Sequence, residues 1–222
     1  MNFIDKLPHN LQMAYAVSGF RGSVTVKRPL LESLYNVIAP ARLKSSALSG
    51  EVASWFDTME GTRAAFDDPA KKEKIWELGP HSALISDAAS TMLLIAASEL
   101  DRLHQKAGIS LFERGQSTYV ATIRFSRATY ALANQYKHLG KWRHNERNGG
   151  EDRKLVQALV DDPLREDAAA EFLLRGYATY DPFEAALLSC SDGIVTDGTI
   201  PETGRAGLPT ITMRLKKNGA QE

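Results

Sequence analysis

One segment of the chain, residues 122–147, concentrates the side chains best suited to chemistry on an anion. It carries six lysine and arginine residues and a single acid, Glu146, so its local charge balance is +5. Histidines and aromatic residues are interleaved with these charges, among them His138, His144, Tyr130, Tyr136 and Trp142. Positive charge with aromatic residues between is the composition of surfaces that contact RNA or single strands.

Helical geometry groups the reactive residues of this segment. At about 100° per residue, four of them share one stripe of a helix: Arg127, Asn134, His138 and Lys141. The predicted core stripe lies roughly opposite, through Phe125, Leu132, Tyr136 and Leu139. Histidine titrates near neutral pH, so His138 is the candidate general base or acid. Asn134 and Arg127 would orient a phosphate and offset developing charge. The candidate substrate-binding residues are Lys137, Lys141, Arg143 and His144.

The run from Asn134 to His138 resembles half of the motif of HEPN domains, in which a polar residue, three residues and a histidine follow an arginine. Ala133 stands where that arginine is usual, and Arg127, two turns earlier, is its candidate substitute. The resemblance covers about ten of the 222 residues. It implies a helical bundle, metal-independent cleavage of RNA and a role in bacterial defence or toxin–antitoxin systems. It also implies a homodimer whose active site combines two copies of this helix.

A second interpretation stays open, because a basic stripe with histidines is also typical of a solvated helix face or a partner contact. In that case the chain is a non-catalytic protein of bacterial or phage origin whose charged surface binds another protein. No cofactor is expected, since no Gly-x-x-x-x-Gly-Lys-Ser/Thr loop occurs. No metal is expected either, because His138 and His144 are six residues apart and point to different helix faces.

The overall composition excludes a uniformly basic nucleic-acid binder. The chain has 222 residues, 27 Lys+Arg and 27 Asp+Glu, with a pI near 7.0. This neutrality is a cancellation, because residues 151–184 carry nine acids against four bases, a local balance of −5. If this acidic segment packs beside residues 122–147, it reduces the field that would attract RNA.

Apolar periodicity and helix-capping residues predict a mainly helical bundle, with residues 1–222 as one domain. Three Asp-Pro pairs predict helices over residues 69–78, 163–175 and 182–190, because aspartate caps a helix and proline suits its first turn. Gly79-Pro80 should end the first of these. Apolar spacing predicts further helices over residues 52–66, 82–106, 117–141 and 151–160, of which 82–106 should be central in the bundle.

The two ends of the chain differ from this pattern. Val24 and Val26 suggest a short strand, and alternation over residues 211–215 predicts another. The fold class is therefore a helical bundle with a small hairpin or sheet built from residues 1–30 and 191–222, with Asp-Gly turns over residues 191–207. The only cysteine, Cys190, is expected to be buried. With no signal-peptide core and no apolar run of membrane length, a cytoplasmic protein without membrane contact is expected.

Overall fold

The computed structural model describes residues 6–107, 119–120, 123–145, 149–192 and 194. Its elements, in chain order, are α1 (His9–Trp55), α2 (Met59–Asp67), α3 (Pro69–Ala107), β1 (Tyr119–Val120), β2 (Ile123–Arg124), α4 (Phe125–His144), α5 (Gly150–Leu159), α6 (Ala168–Gly176) and α7 (Tyr180–Ser189). The prediction of a mainly helical bundle is confirmed.

Two long helices, α1 and α3, form the spine of the molecule. The 47 residues of α1 span about 70 Å at about 1.5 Å per residue. Ion pairs from Lys27 to Glu99 and from Lys74 to Glu51 show that α3 runs antiparallel to α1. Alanines such as Ala89 and Ala96 are fully buried and let the two backbones approach closely. The predicted central position of residues 82–106 is therefore confirmed.

The other helices pack against only one part of this spine. The main core begins at Met13, leaves α1 at Ala41 and enters α3 at Ile85. There α4 and α6 pack on α3, and α7 packs on α1. We call this part the body and residues 42–84 the arm. Four rings from α4, α6, α7 and the residues between α6 and α7 meet edge-on inside the body: Phe125, Phe172, Tyr177 and Phe183. The Tyr180 ring packs on Phe183 at a tilt.

Several predicted helix boundaries are wrong. The helix that begins at Pro69 does not stop at Gly79-Pro80 but continues to Ala107. Residues 52–66 are not one helix, because α1 ends at Trp55 and Thr58 caps α2 by accepting a hydrogen bond from the Gly61 N–H at 3.0 Å.

The Asp-Pro pairs behave differently from one another. Asp68 accepts a hydrogen bond from the Ala70 N–H at 2.9 Å, as expected of a residue that precedes a helix. Asp162 instead makes a local turn by accepting from the Leu164 N–H at 2.8 Å, and α6 begins only at Ala168. Asp181 and Pro182 lie inside the first turn of α7, which starts at Tyr180. Proline is tolerated there because the N–H groups of a first turn have no partner within the helix.

The predicted strand contribution of residues 1–30 is also wrong. Val24 is buried and Val26 is 81% exposed, but both belong to α1. The two-stranded antiparallel sheet pairs β1 with β2 and lies directly before α4, so the helix predicted from residue 117 begins at Phe125. The strand predicted over residues 211–215 and most of the turns predicted over 191–207 lie outside the described residues. The short helix over 151–160 is confirmed as α5.

In the part of the chain that the structure describes, one helix, α3, is long and apolar enough to cross a membrane by length and composition. Within its most apolar 18-residue window, of mean hydropathy 1.4, 61% is buried inside the protein. Its apolar residues therefore pack against other helices, as in the core helix of a bundle.

Candidate functional site

Helix α4 is fixed in the body by its buried face. Phe125, Ala128 and Leu132 are completely buried. The buried Gln135 side chain donates hydrogen bonds to the carbonyls of Pro163, at 3.2 Å, and Arg165, at 2.8 Å. These contacts set the rotation of α4 about its axis and thereby decide which residues face outward.

The predicted core stripe of α4 is correct only in its first half. Tyr136 and Leu139 are half-buried, whereas Ala131, Gln135 and Trp142 are buried instead. The Tyr136 hydroxyl donates a hydrogen bond to Asp87 of α3 at 3.3 Å. Partial burial and the charge of Asp87 raise the pKa of Tyr136 above its ordinary value. This side of the helix therefore borders α3 without entering the core.

A shallow cleft of about 290 Å³ lies between the C-terminal half of α4 and the start of α5. Its lining consists of Asn134, His138, Lys141, Trp142, Gly149 and Asp152. His138 is exposed, and Asn134, one turn earlier, is half-buried. Three of the four residues on the predicted stripe thus line one cleft, which places an imidazole, an amide and an ammonium group around a space open to solvent.

The basic and acidic segments face each other. Arg127 pairs with Glu151 of α5, Nη2 to Oε2, at 2.9 Å. The Asn134 Nδ2 donates a hydrogen bond to Asp152 Oδ2 at 2.9 Å. Both acids lie in the first turn of α5, where the helix dipole stabilises negative charge. At these positions the acidic segment offsets the positive charge of α4.

The remaining substrate-binding candidates differ in their surroundings. Lys137 and His144 are exposed on α4. Arg143 is engaged elsewhere, since it pairs with Glu166 at 3.0 Å and donates to the Leu164 carbonyl at 3.0 and 3.1 Å. The arginine therefore ties α4 to the residues before α6. Lys137 and His138 are not bonded to any other side chain within the part of the chain that the structure describes.

Sequence reasoning missed Asp152 and Gly149 as parts of the site. Asp152 counted only as one of nine acids, and Gly149 only as a helix boundary. Their place in the cleft depends on how α5 packs against α4, and the hydrophobic periodicity of a sequence does not show such packing. The signal that could have found them is an acidic first turn directly after a Gly-Gly pair and directly after the basic helix.

Two other expectations concern Cys190 and metals. Cys190 is completely buried, and burial raises the pKa of its thiol to about 12, which confirms a structural position. Among the described residues, no group of three or more His, Cys, Asp and Glu side chains is arranged to hold a metal ion.

Comparisons of the chain with protein-family models, curated proteins and solved structures found no match.

Proposed function

We propose that this protein binds RNA and cleaves it at the cleft between α4 and α5. The observation that carries the proposal is the exposed imidazole of His138, which lies one helical turn from the Asn134 amide in the same cleft. Because Asp152 takes an N–H of that amide, the Asn134 carbonyl oxygen remains an acceptor for a substrate hydroxyl. The spacing of these two residues is also the half-motif that resembles HEPN domains.

The chemistry that suits this arrangement is transesterification of RNA. His138 removes the proton from a ribose 2′-hydroxyl, and the 2′-oxygen attacks the adjacent phosphorus. The bond from phosphorus to the 5′-oxygen of the next nucleotide breaks, leaving a 2′,3′-cyclic phosphate. The leaving 5′-oxygen takes up a proton from an imidazolium or from water. Lys137, Lys141 and Arg127 hold the phosphate and offset its charge in the transition state.

The resemblance adds the setting of this activity. A homodimer would bring two copies of α4 together, and the exposed side chains of Lys137 and His138 leave that end of the helix accessible. The expected context is a cytoplasmic ribonuclease in bacterial defence or a toxin–antitoxin pair. Sedimentation of the purified protein measures whether two copies associate.

The experiment is incubation of the purified protein with total RNA in EDTA, beside His138→Ala. Loss of the general base should slow cleavage by about 100-fold or more. A matched control is His81→Ala, since His81 lies on the arm, outside the cleft. Equal cleavage by the wild type and by His138→Ala removes His138 from the mechanism.

A second candidate is a non-catalytic protein that binds a protein partner. The favouring observation is the arm, which exposes large apolar side chains: Leu43, Phe56, Met59, Phe66, Trp76 and Leu84. Trp76, for example, is 76% exposed. A contiguous surface of exposed apolar side chains is typical of protein contacts. If the purified protein neither cleaves RNA nor binds it in a salt-dependent way, this second candidate is favoured.

A further inference from the structure

We infer that the first turn of α5 is a built-in anionic competitor for the RNA phosphate. The carboxylates of Glu151 and Asp152 occupy the positions on Arg127 and Asn134 that a phosphate would take. They therefore set the RNA affinity of the cleft. The inference rests on the proposed function, because it concerns how that same site is regulated.

A phosphate can replace the Glu151 carboxylate in the ion pair between Arg127 and Glu151. The guanidinium Nη2 lies 2.9 Å from the Glu151 carboxylate, yet the Glu151 side chain is 83% exposed. Packing does not force the carboxylate to stay there, and exposed ion pairs of this kind are weak and screened by salt. A phosphate group offers the same guanidinium a stronger, charge-assisted and bidentate partner. Bound RNA would thus replace Glu151 on Arg127.

Asp152 acts at the cleft itself. It lines the same space as His138 and Lys141, and its Oδ2 takes the Asn134 amide at 2.9 Å. A phosphate entering this space would face a negative carboxylate at short range, in surroundings that screen charge less than bulk water. Removing the charge of Asp152 while keeping its shape should therefore favour phosphate entry.

The opposite role is positioning, in which the two acids hold Arg127 and Asn134 ready for substrate. The two roles predict opposite signs. If the two acids compete with RNA, replacing them with the neutral amides Gln and Asn should strengthen RNA binding. If the two acids position Arg127 and Asn134, the same substitutions should weaken RNA binding. The direction of the change in affinity decides between them.

The test measures binding of a fluorescently labelled 2′-O-methyl RNA oligonucleotide, which lacks the attacking hydroxyl and stays intact. Glu151→Gln should tighten binding about five-fold, and Glu151→Gln/Asp152→Asn about ten-fold or more, at about 0.1 M salt. Inorganic phosphate should displace the oligonucleotide more readily from the double variant than from the wild type, because the two carboxylates no longer oppose the entry of a phosphate.

The matched control is Glu51→Gln/Glu77→Gln on the arm. It removes the same two charges, and its residues pair with Lys74 and Lys44. Its affinity should stay within about two-fold of the wild type, because exposed charges beyond about 10 Å are screened. Circular dichroism checks that each variant is folded.

The outcomes separate this inference from the proposed function. Tighter binding confined to the cleft variants supports the inference. If the wild type cleaves RNA in a His138-dependent way but the cleft variants bind no tighter than the wild type, the inference alone is overturned. If neither the wild type nor any variant binds RNA, the proposed function fails and the inference fails with it.

Discussion

Gly149 directly precedes α5 and lies against the side chain of Trp142, near the end of α4. Its φ of 95° is in the left-handed region, which residues other than glycine adopt only at a cost in conformational free energy. A Cβ atom built on it would lie 2.7 Å from Cε2 of the buried Trp142 and 2.9 Å from the Cβ of Arg153. The residue thus permits both the turn and the contact that closes the floor of the cleft.

We expect Gly149→Ala to lower the free energy of unfolding by about 2 kcal/mol, since it adds backbone strain and a clash with Trp142. Urea unfolding followed by circular dichroism measures the change. Gly140→Ala is the control, because Gly140 lies within α4 with nothing within 4 Å of an added Cβ. That control should be stabilising by about 0.5–1 kcal/mol. Equal stability of Gly149→Ala and the wild type would contradict the close approach.

At the residue scale, the sequence located the reactive groups but not their partners. The helical stripe correctly predicted that Asn134, His138 and Lys141 share a surface, because local geometry alone decides it. It could not predict that Arg127 pairs with Glu151, since that contact joins residues 24 positions apart. The role of His138 in catalysis stays a prediction until the RNA assay is made.

At the scale of elements, one buried ion pair connects the two spine helices. Glu99 of α3 has a side chain that is 1% exposed, and Lys27 of α1 hydrogen-bonds to it. Arg102 also approaches the carboxylate, at 3.1 Å. Burial raises the pKa of Glu99, but the hydrogen bonds from Lys27 and Ser23 and the nearby positive charges outweigh it and lower the pKa below 4.5.

Lys27→Met should lower the free energy of unfolding by about 3 kcal/mol at pH 7, because it leaves a buried carboxylate short of its main partner. A lowered folded-state pKa stabilises the protein above pH 4.5, and this contribution disappears as the pH falls through the folded value. The difference between wild type and variant should therefore shrink as the pH drops below about 4.5. Urea unfolding at a series of pH values measures it.

The control for this variant is Lys44→Met. Lys44 lies 4.0 Å from Glu77, and both side chains are about half exposed. Its unfolding free energy should change by no more than about 0.5 kcal/mol at any of these pH values. A cost for Lys27→Met that stayed constant through acid pH would mean that Glu99 is not the group involved.

Most of the shorter helices were predictable, but helix ends often were not, and the sequence patterns did not predict residues 9–51 of α1 as a helix. Residues 82–106 are apolar around much of the helix, and a helix with this pattern is expected to be buried at the centre of a bundle. Gly79-Pro80 looks like a stop because proline lacks an N–H, yet α3 continues through it. Packing of α3 along α1 supplies more free energy than one lost hydrogen bond costs, and local propensity cannot report this packing. Val24 and Val26 favour a strand locally, but the packing of α1 along α3 places both in a helix.

At the scale of the whole molecule, the zero net charge reflects charges that meet across α4 and α5. The basic helix and the acidic segment are paired through Arg127, Asn134 and Arg143. Exposed positive charge on α4 lies close to His138, at Lys137 and Lys141. The arm instead presents apolar side chains, so the two parts of the chain offer different chemistry to a ligand.

The rate at which the Cys190 thiol is labelled measures the unfolding of the body. The Sγ atom is completely buried and contacts the Ala186 carbonyl at 3.6 Å. Burial raises the thiol pKa to about 12, and only the thiolate attacks disulfide reagents. We expect negligible labelling by Ellman's reagent in the folded protein and one equivalent in denaturant.

A Ser46→Cys variant is the control, because Ser46 is exposed on the arm segment of α1. It should give one rapid equivalent in the folded protein, with Cys190 still protected. Since Cys190 belongs to the same core cluster as Phe125 and Leu132 of α4, its slow labelling follows the opening of the body that carries the cleft. If Cys190 in the folded protein reacted as fast as the cysteine of Ser46→Cys, α7 would not be packed as described. Protection that decreases in Gly149→Ala would connect the turn at the cleft to the stability of the whole body.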